Sequence, residues 1–142
     1  MPNSISSGPL PESPFFFIDR SLSKRTFARL FAEVGIACEL HDDHFAPTAH
    51  DTEWIPAVGR KGWIILTVDR RIRYNPPEKR AFLESGTFAF MIASRQPLRA
   101  DEMAAIYIKA MPAIHRALAA HQPPVIFKVY QDGRIEPWLG DS

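Results

Sequence analysis
The chain has 142 residues, one domain's worth, of which 46% are apolar and 23% charged, the make-up of a globular fold. Seventeen basic and sixteen acidic residues give a net charge of +1, which excludes a histone-like tail and an acidic disordered chain. The single cysteine, Cys38, excludes an intrachain disulfide and a cysteine-based zinc or iron–sulfur site. No apolar run is long enough to span a bilayer, and residues 1–14 lack the basic start and apolar stretch of a secretory signal, so a cytoplasmic domain without membrane contact is expected.

In chain order, residues 1–14 are rich in Ser and Pro and read as a disordered tail. Phe15-Phe16-Phe17-Ile18 is a continuous apolar run suited to a strand buried on both faces, and it stops at Asp19. A helix capped by Ser21 or Ser23 follows, with Leu22, Phe27, Leu30, Phe31 and Val34 as its stripe and Gly35 as its end. Ile36 to Leu40 is a short second strand, and 41–51 a polar loop. Thr52 to Val58 predicts a short helix strained by Pro56. Trp63 to Thr67 is the third strand, ending near Asp69. Asn75-Pro76 opens a helix that runs to Glu84, and Thr87 to Ile92 is the fourth strand. Arg99 to His121 predicts a long amphipathic helix kinked at Pro112, whose face around Ile106, Tyr107 and Ile114 either covers the sheet or forms a homodimer contact. Val125 to Tyr130 and Arg134 to Pro137 close the chain as a hairpin, leaving 139–142 as a tail and 15–138 as a single domain. Strands alternating with helices predict an α/β fold, a mostly parallel sheet with helices on both faces.

Chemistry is expected where carboxylates follow apolar strands, because ligands of open parallel sheets bind beyond the carboxyl ends of the strands. Asp19 and Asp69 hold such positions and meet if their strands are neighbours. Asp51 and Glu53 start the helix leading to the third strand, and Asp42 and Asp43 follow the second. Clustered carboxylates repel one another, and oxygen-only ligands suit Mg²⁺ or Mn²⁺. Taken singly, each acid is also explained as a cap, a turn residue or a solvated charge. His41, His44 and His50 share one loop, a weak zinc pattern. Charge is uneven: residues 1–59 hold four basic and eight acidic groups, residues 60–80 seven and two, and residues 81–142 six of each. The basic block from Arg60 to Arg80, with Arg70, Arg71 and Arg73, suits an RNA backbone, and Trp54, Trp63 and Tyr74 are aromatic rings available for stacking or for the core.

Taken together, FFFIDRSLSKR, ELHDDHF, DTEW and GWIILTVDRRIR resemble the PIN-like nuclease domains of VapC-type toxins, and more closely the branch that includes the Mut7-C-type PIN-like domains. The shared marks are a strand ending in Asp, a D-x-E-W segment and an L-T-x-D strand end, and the resemblance spans roughly residues 15–136. It implies a three-layer α/β/α fold and metal-dependent cleavage of RNA by the toxin of a toxin–antitoxin pair. It also implies an RNA substrate, a cognate antitoxin and a Mg²⁺ or Mn²⁺ cofactor. By the resemblance, Asp19, Asp69 and an acid of DTEW hold the metal, Asp51 and Glu53 competing for the third place with Asp51 ahead. Asp42 or Asp43 stands in for a further acid without a clear counterpart, and Arg20, Lys24 and Arg71 are phosphate contacts. The missing acid also motivates an alternative, a catalytically silent module that binds RNA or protein. A phosphatase-like hydrolase using the same carboxylates is a third reading.

Overall fold
The computed structural model describes residues 14–22, 25–94 and 96–140, so of the tails expected at 1–14 and 139–142 only residues 1–13 and 141–142 lie outside the described residues, and Pro14 is buried. Among the described residues there are six strands: β1 Phe16–Ile18, β2 Cys38–Leu40, β3 Ile64–Thr67, β4 Phe88–Ile92, β5 Val125–Val129 and β6 Ile135–Gly140. They form one sheet in the order β2-β1-β3-β4-β5-β6, parallel throughout except for the last pair. The helices are α1 Arg25–Glu33, α2 Asp51–Arg60, α3 Arg71–Tyr74, α4 Pro76–Ser85 and α5 Ala100–Ala120.

The two-residue period of a strand divides the core into two layers. Phe16, Ile18, Leu66, Phe90 and Phe127 face α1 and α5, while Phe17, Ile65, Ala89 and Ile126 face α2, α3 and α4. Both faces are therefore buried, which is why β1, β3 and β4 read as unbroken apolar runs. The fold is the expected three-layer α/β/α arrangement. From β1 the chain crosses to β2 on one side and then to β3 on the other. The order reverses between β1 and β3, and Ile18 lies opposite Leu66 there.

Several local expectations change. Ser21 sits in a 3-10 turn, Arg20–Leu22, and its hydroxyl bonds Asp19 rather than capping α1. Val34 lies past the end of α1 and is exposed. Gly35 ends that segment at φ 76°, a backbone angle open to glycine without strain. α2 continues to Arg60 through Pro56, because Trp54, Ile55 and Val58 bury its inner face and outweigh one lost backbone bond. α5 is helical through Pro112, and Ile106, Tyr107 and Ile114 are buried within this chain. Tyr107 and Ile114 are therefore closed to a dimer contact. β6 extends two residues past the expected domain end, because Leu139 and Gly140 pair with Ile126 and Val125. No helix among the described residues is long and apolar enough to cross a membrane.

Candidate active site
The carboxyl ends of β1 and β3 meet at the reversal in strand order, and each continues into an aspartate. Asp19 donates its backbone N–H to the Leu66 carbonyl at 3.0 Å, which ties it to the neighbouring strand. Its side chain is 6% exposed. Oδ2 accepts from Thr67 Oγ1 at 2.6 Å and from Ser21 Oγ at 3.0 Å, and Oδ1 accepts from the Arg20 N–H at 2.6 Å. Burial pushes this carboxyl above its ordinary pKa, and the charge of Asp51 adds to the shift, although the three hydrogen bonds pull the other way.

Thr67 serves both acids. Its Oγ1 donates to Asp19 and accepts the Asp69 N–H at 2.9 Å. That double bond pattern gives the threonine of L-T-x-D a physical reason. Beneath it the buried Tyr107 hydroxyl lies 2.9 Å from the Thr67 carbonyl and 2.7 Å from that of Phe90, fixing the end of β3 and the middle of β4 to α5. Asp69 is gripped by Arg71, whose Nη2 reaches Oδ2 at 2.6 Å and whose Nε lies 3.0 Å from Oδ1. Burial raises the Asp69 carboxyl, but the Arg71 bonds and charge outweigh it and leave the group below its usual range.

The other acids come from two helix starts. Asp51 is the first residue of α2, and Trp54 Nε1 donates to its Oδ1 at 2.7 Å. The tryptophan of DTEW thus belongs to the core and orients the aspartate. Glu78 is the third residue of α4, whose start is set by Asn75 accepting the Glu78 N–H at 3.2 Å, with Pro76 next. Carboxylate oxygens of Asp51, Asp69 and Glu78 lie within 4.8 Å of one another. Burial, a hydrogen bond with Asp51 and the charges of Asp51 and Asp69 push Glu78 up to about 8, with Arg71 opposing. Two first-turn acids at neighbouring helix N-termini also face favourable helix dipoles. The set fits a hard divalent cation: every donor is oxygen, and three carboxylates this close, with Glu78 pushed up by its neighbours, make a site short of positive charge.

Asp19, Asp51 and Asp69 are thus gathered at one edge, joined by Glu78, which the sequence reading missed. Its signal was the N-P-P-E start of a helix just after Asp69, which reads locally as a first-turn charge. Glu53 does not join them: its carboxylate accepts the His50 N–H at 2.9 Å and caps α2. Asp43 pairs with Arg25 at 2.6 Å and Asp42 lies 3.1 Å from His41, in a turn after β2, so neither stands in for the further acid. His41 is buried among Phe17, Phe45 and Trp54, and His44 contacts Glu39, so the three histidines form no metal group.

The basic block does not form one surface, because β3 runs through it and leaves Arg60 and Lys61 before its amino end and Arg70, Arg71 and Arg73 beyond its carboxyl end. Arg73 donates to the Trp138 carbonyl and lies over the Tyr74 and Trp138 rings. Arg20 donates to the Pro47 carbonyl. Arg20 and Arg71 line a cleft of about 390 Å³ with Asp51 and Glu78. Lys24 lies outside the described residues. Trp54 is buried, Trp63 stacks on Phe15 and Phe17, and Tyr74 is exposed.

A family model described as "PIN like domain" matches residues 14–94, the span that carries all four acids. The chain is also 31% identical over 125 residues to "Putative ribonuclease VapC45" of Mycobacterium tuberculosis (strain ATCC 25618 / H37Rv), covering 85% of this chain and 89% of that one. No solved structure matches it. A family match over more than half of the chain, together with a relative aligned over most of both lengths, establishes that this chain belongs to the PIN-like domain family.

Proposed function
We propose that the chain is a divalent-metal-dependent endoribonuclease of the VapC toxin type, acting on RNA phosphodiesters with Mg²⁺ or Mn²⁺ and restrained by a cognate antitoxin. The observation that carries the reading is the convergence of Asp51, Asp69 and Glu78 within 4.8 Å beside the buried Asp19. The relative named as a ribonuclease supports the substrate class. Glu78 supplies an acid in place of the missing one, and with it the observation that favoured a binding-only module falls away.

Asp51, Asp69 and Glu78 would hold the ion, with Asp19 adjoining them. When bound, such an ion offsets charge on a phosphoryl group and makes water a better nucleophile. The chain's own residues do the rest. Thr67, Ser21 and the Arg20 N–H fix the Asp19 carboxylate, and Trp54 fixes Asp51, so little reorganisation remains when substrate arrives. Arg71 shields Asp69 until a phosphate competes for its guanidinium. Glu78 must release its proton before it can act as an anionic ligand.

The test is cleavage of end-labelled single-stranded RNA with Mn²⁺ or Mg²⁺, with and without chelator. Asp19→Asn, Asp69→Asn and Glu78→Gln are each expected to cut cleavage by about a hundredfold or more. Cleavage that survives both aspartate substitutions, or that ignores chelator, would refute the assignment.

A further inference from the structure
We propose that a second cleft beside the acidic cluster seats one nucleobase next to the bond being cut, so that this chain selects its cleavage sites by that base. The inference rests on the nuclease reading above. Among the described residues the two clefts share no lining residue, yet they adjoin along the chain: Arg20 and Arg71 line the first, Ser21 and Arg70 the second. Ser21 of the second cleft donates to Asp19 at 3.0 Å and Arg71 of the first holds Asp69 at 2.6 Å, so each cleft borders one of the two acids. A strand crossing the acids from the first cleft enters the second.

The linings differ in chemistry. The first carries Arg20, Asp51, Arg71, Asn75 and Glu78, groups suited to phosphate and ribose. The second, about 280 Å³, has an apolar wall from Val68, Leu98 and Met103, with Gln96 and Arg70 among its other lining residues. That volume lies just under the range for drug-sized ligands and suits one flat ring. Aliphatic and thioether groups pack against a ring face of any base, whereas discrimination needs a hydrogen-bonding group at the ring edge. Ser94 is already engaged: it donates to the Gln96 carbonyl at 2.9 Å and accepts from the Gln96 N–H and from Gln131 Nε2. It shapes the loop and leaves the exposed Gln96 amide, both donor and acceptor, to read the base. Arg70 has no carboxylate partner among the described residues, whereas Arg71 holds Asp69 and Arg73 holds Trp138, so Arg70 is placed to meet the adjoining phosphate.

The experiment measures binding of short labelled homopolymers of A, C, G and U to Asp19→Asn protein with Mn²⁺ present, by fluorescence anisotropy. The parent is expected to separate the tightest and weakest homopolymers by about tenfold. Met103→Trp, which fills the cleft, should compress that range to about twofold, and the exposed Gln96→Ala should change the rank order. Equal binding by the parent, or a ranking that survives both substitutions, overturns the proposal. The nuclease reading fails separately, if unsubstituted protein with Mn²⁺ cuts none of the four. Far-UV circular dichroism shows whether Met103→Trp is folded, and Gln96→Ala carries the test if it is not.

Discussion
Replacing Glu78 by glutamine tests the charge balance of the acidic site without emptying space. The Glu78 side chain is 9% exposed, and its carboxyl is pushed from 4.5 to about 8 by burial, by the bond with Asp51 and by the neighbouring charges. A carboxyl with a raised folded pKa binds more protons folded than unfolded between the two values. Stability therefore falls as pH rises through that window, and the full penalty stands above pH 8. Linkage between those two values gives a loss of at most about 2.5 kcal/mol from pH 5 to pH 7, and screening by water and Arg71 reduces it to about 1 kcal/mol. Glutamine keeps the shape and can bond Asp51, but it carries no charge. In chelator, urea unfolding of the wild type should weaken between pH 5 and pH 7 by that amount more than Glu78→Gln, which keeps only the contribution of other groups such as Asp19 and is the more stable at pH 7. Saturating Mn²⁺ should reverse the order, since binding to the folded state stabilises only the chain that keeps its ligand. A gap between the two proteins that is the same at both pH values, or a variant less stable at pH 7, would refute the reasoning.

Three further outcomes follow from the same geometry. An ion held by Asp51, Asp69 and Glu78 would have to displace the Glu78 proton below about pH 8, so calorimetry with Mn²⁺ should find affinity rising up to about tenfold per pH unit and levelling above that pH. A Cβ on Gly59 would lie 2.5 Å from the Ser85 carbonyl oxygen, so Gly59→Ala should destabilise by about 1–2 kcal/mol in thermal unfolding despite its better helix propensity. Because α2 and α4 also carry Asp51 and Glu78, the same variant should bind Mn²⁺ more weakly. Thr67→Val removes the donor to Asp19 and the acceptor of the Asp69 N–H, and should cost about 1–3 kcal/mol in urea unfolding and most of the cleavage, with Thr67→Ser restoring both.

The sequence by itself determined the strands buried on both faces and the acids that end them. Phe16 to Ile18 and Ile64 to Thr67 have no polar residue facing water until Asp19 and Asp69, so local pattern carried both the elements and two of the site residues. Asn75-Pro76 fixed a helix start for the same reason, since a cap acts within one turn. Tertiary structure decided which other acids join them. Asp51 and Glu53 are two apart at a helix start and point different ways, and only the burial of Trp54 turned Asp51 toward the site and left Glu53 to cap. Glu78 looks like any first-turn acid until α2 and α4 lie side by side. The basic run looked continuous for the opposite reason: a strand advances about 3.3 Å per residue, so β3 separates Arg60 from Arg70, one before its amino end and the other beyond its carboxyl end. Charge acts through space, and the distances in that space are set by packing between elements far apart in the chain.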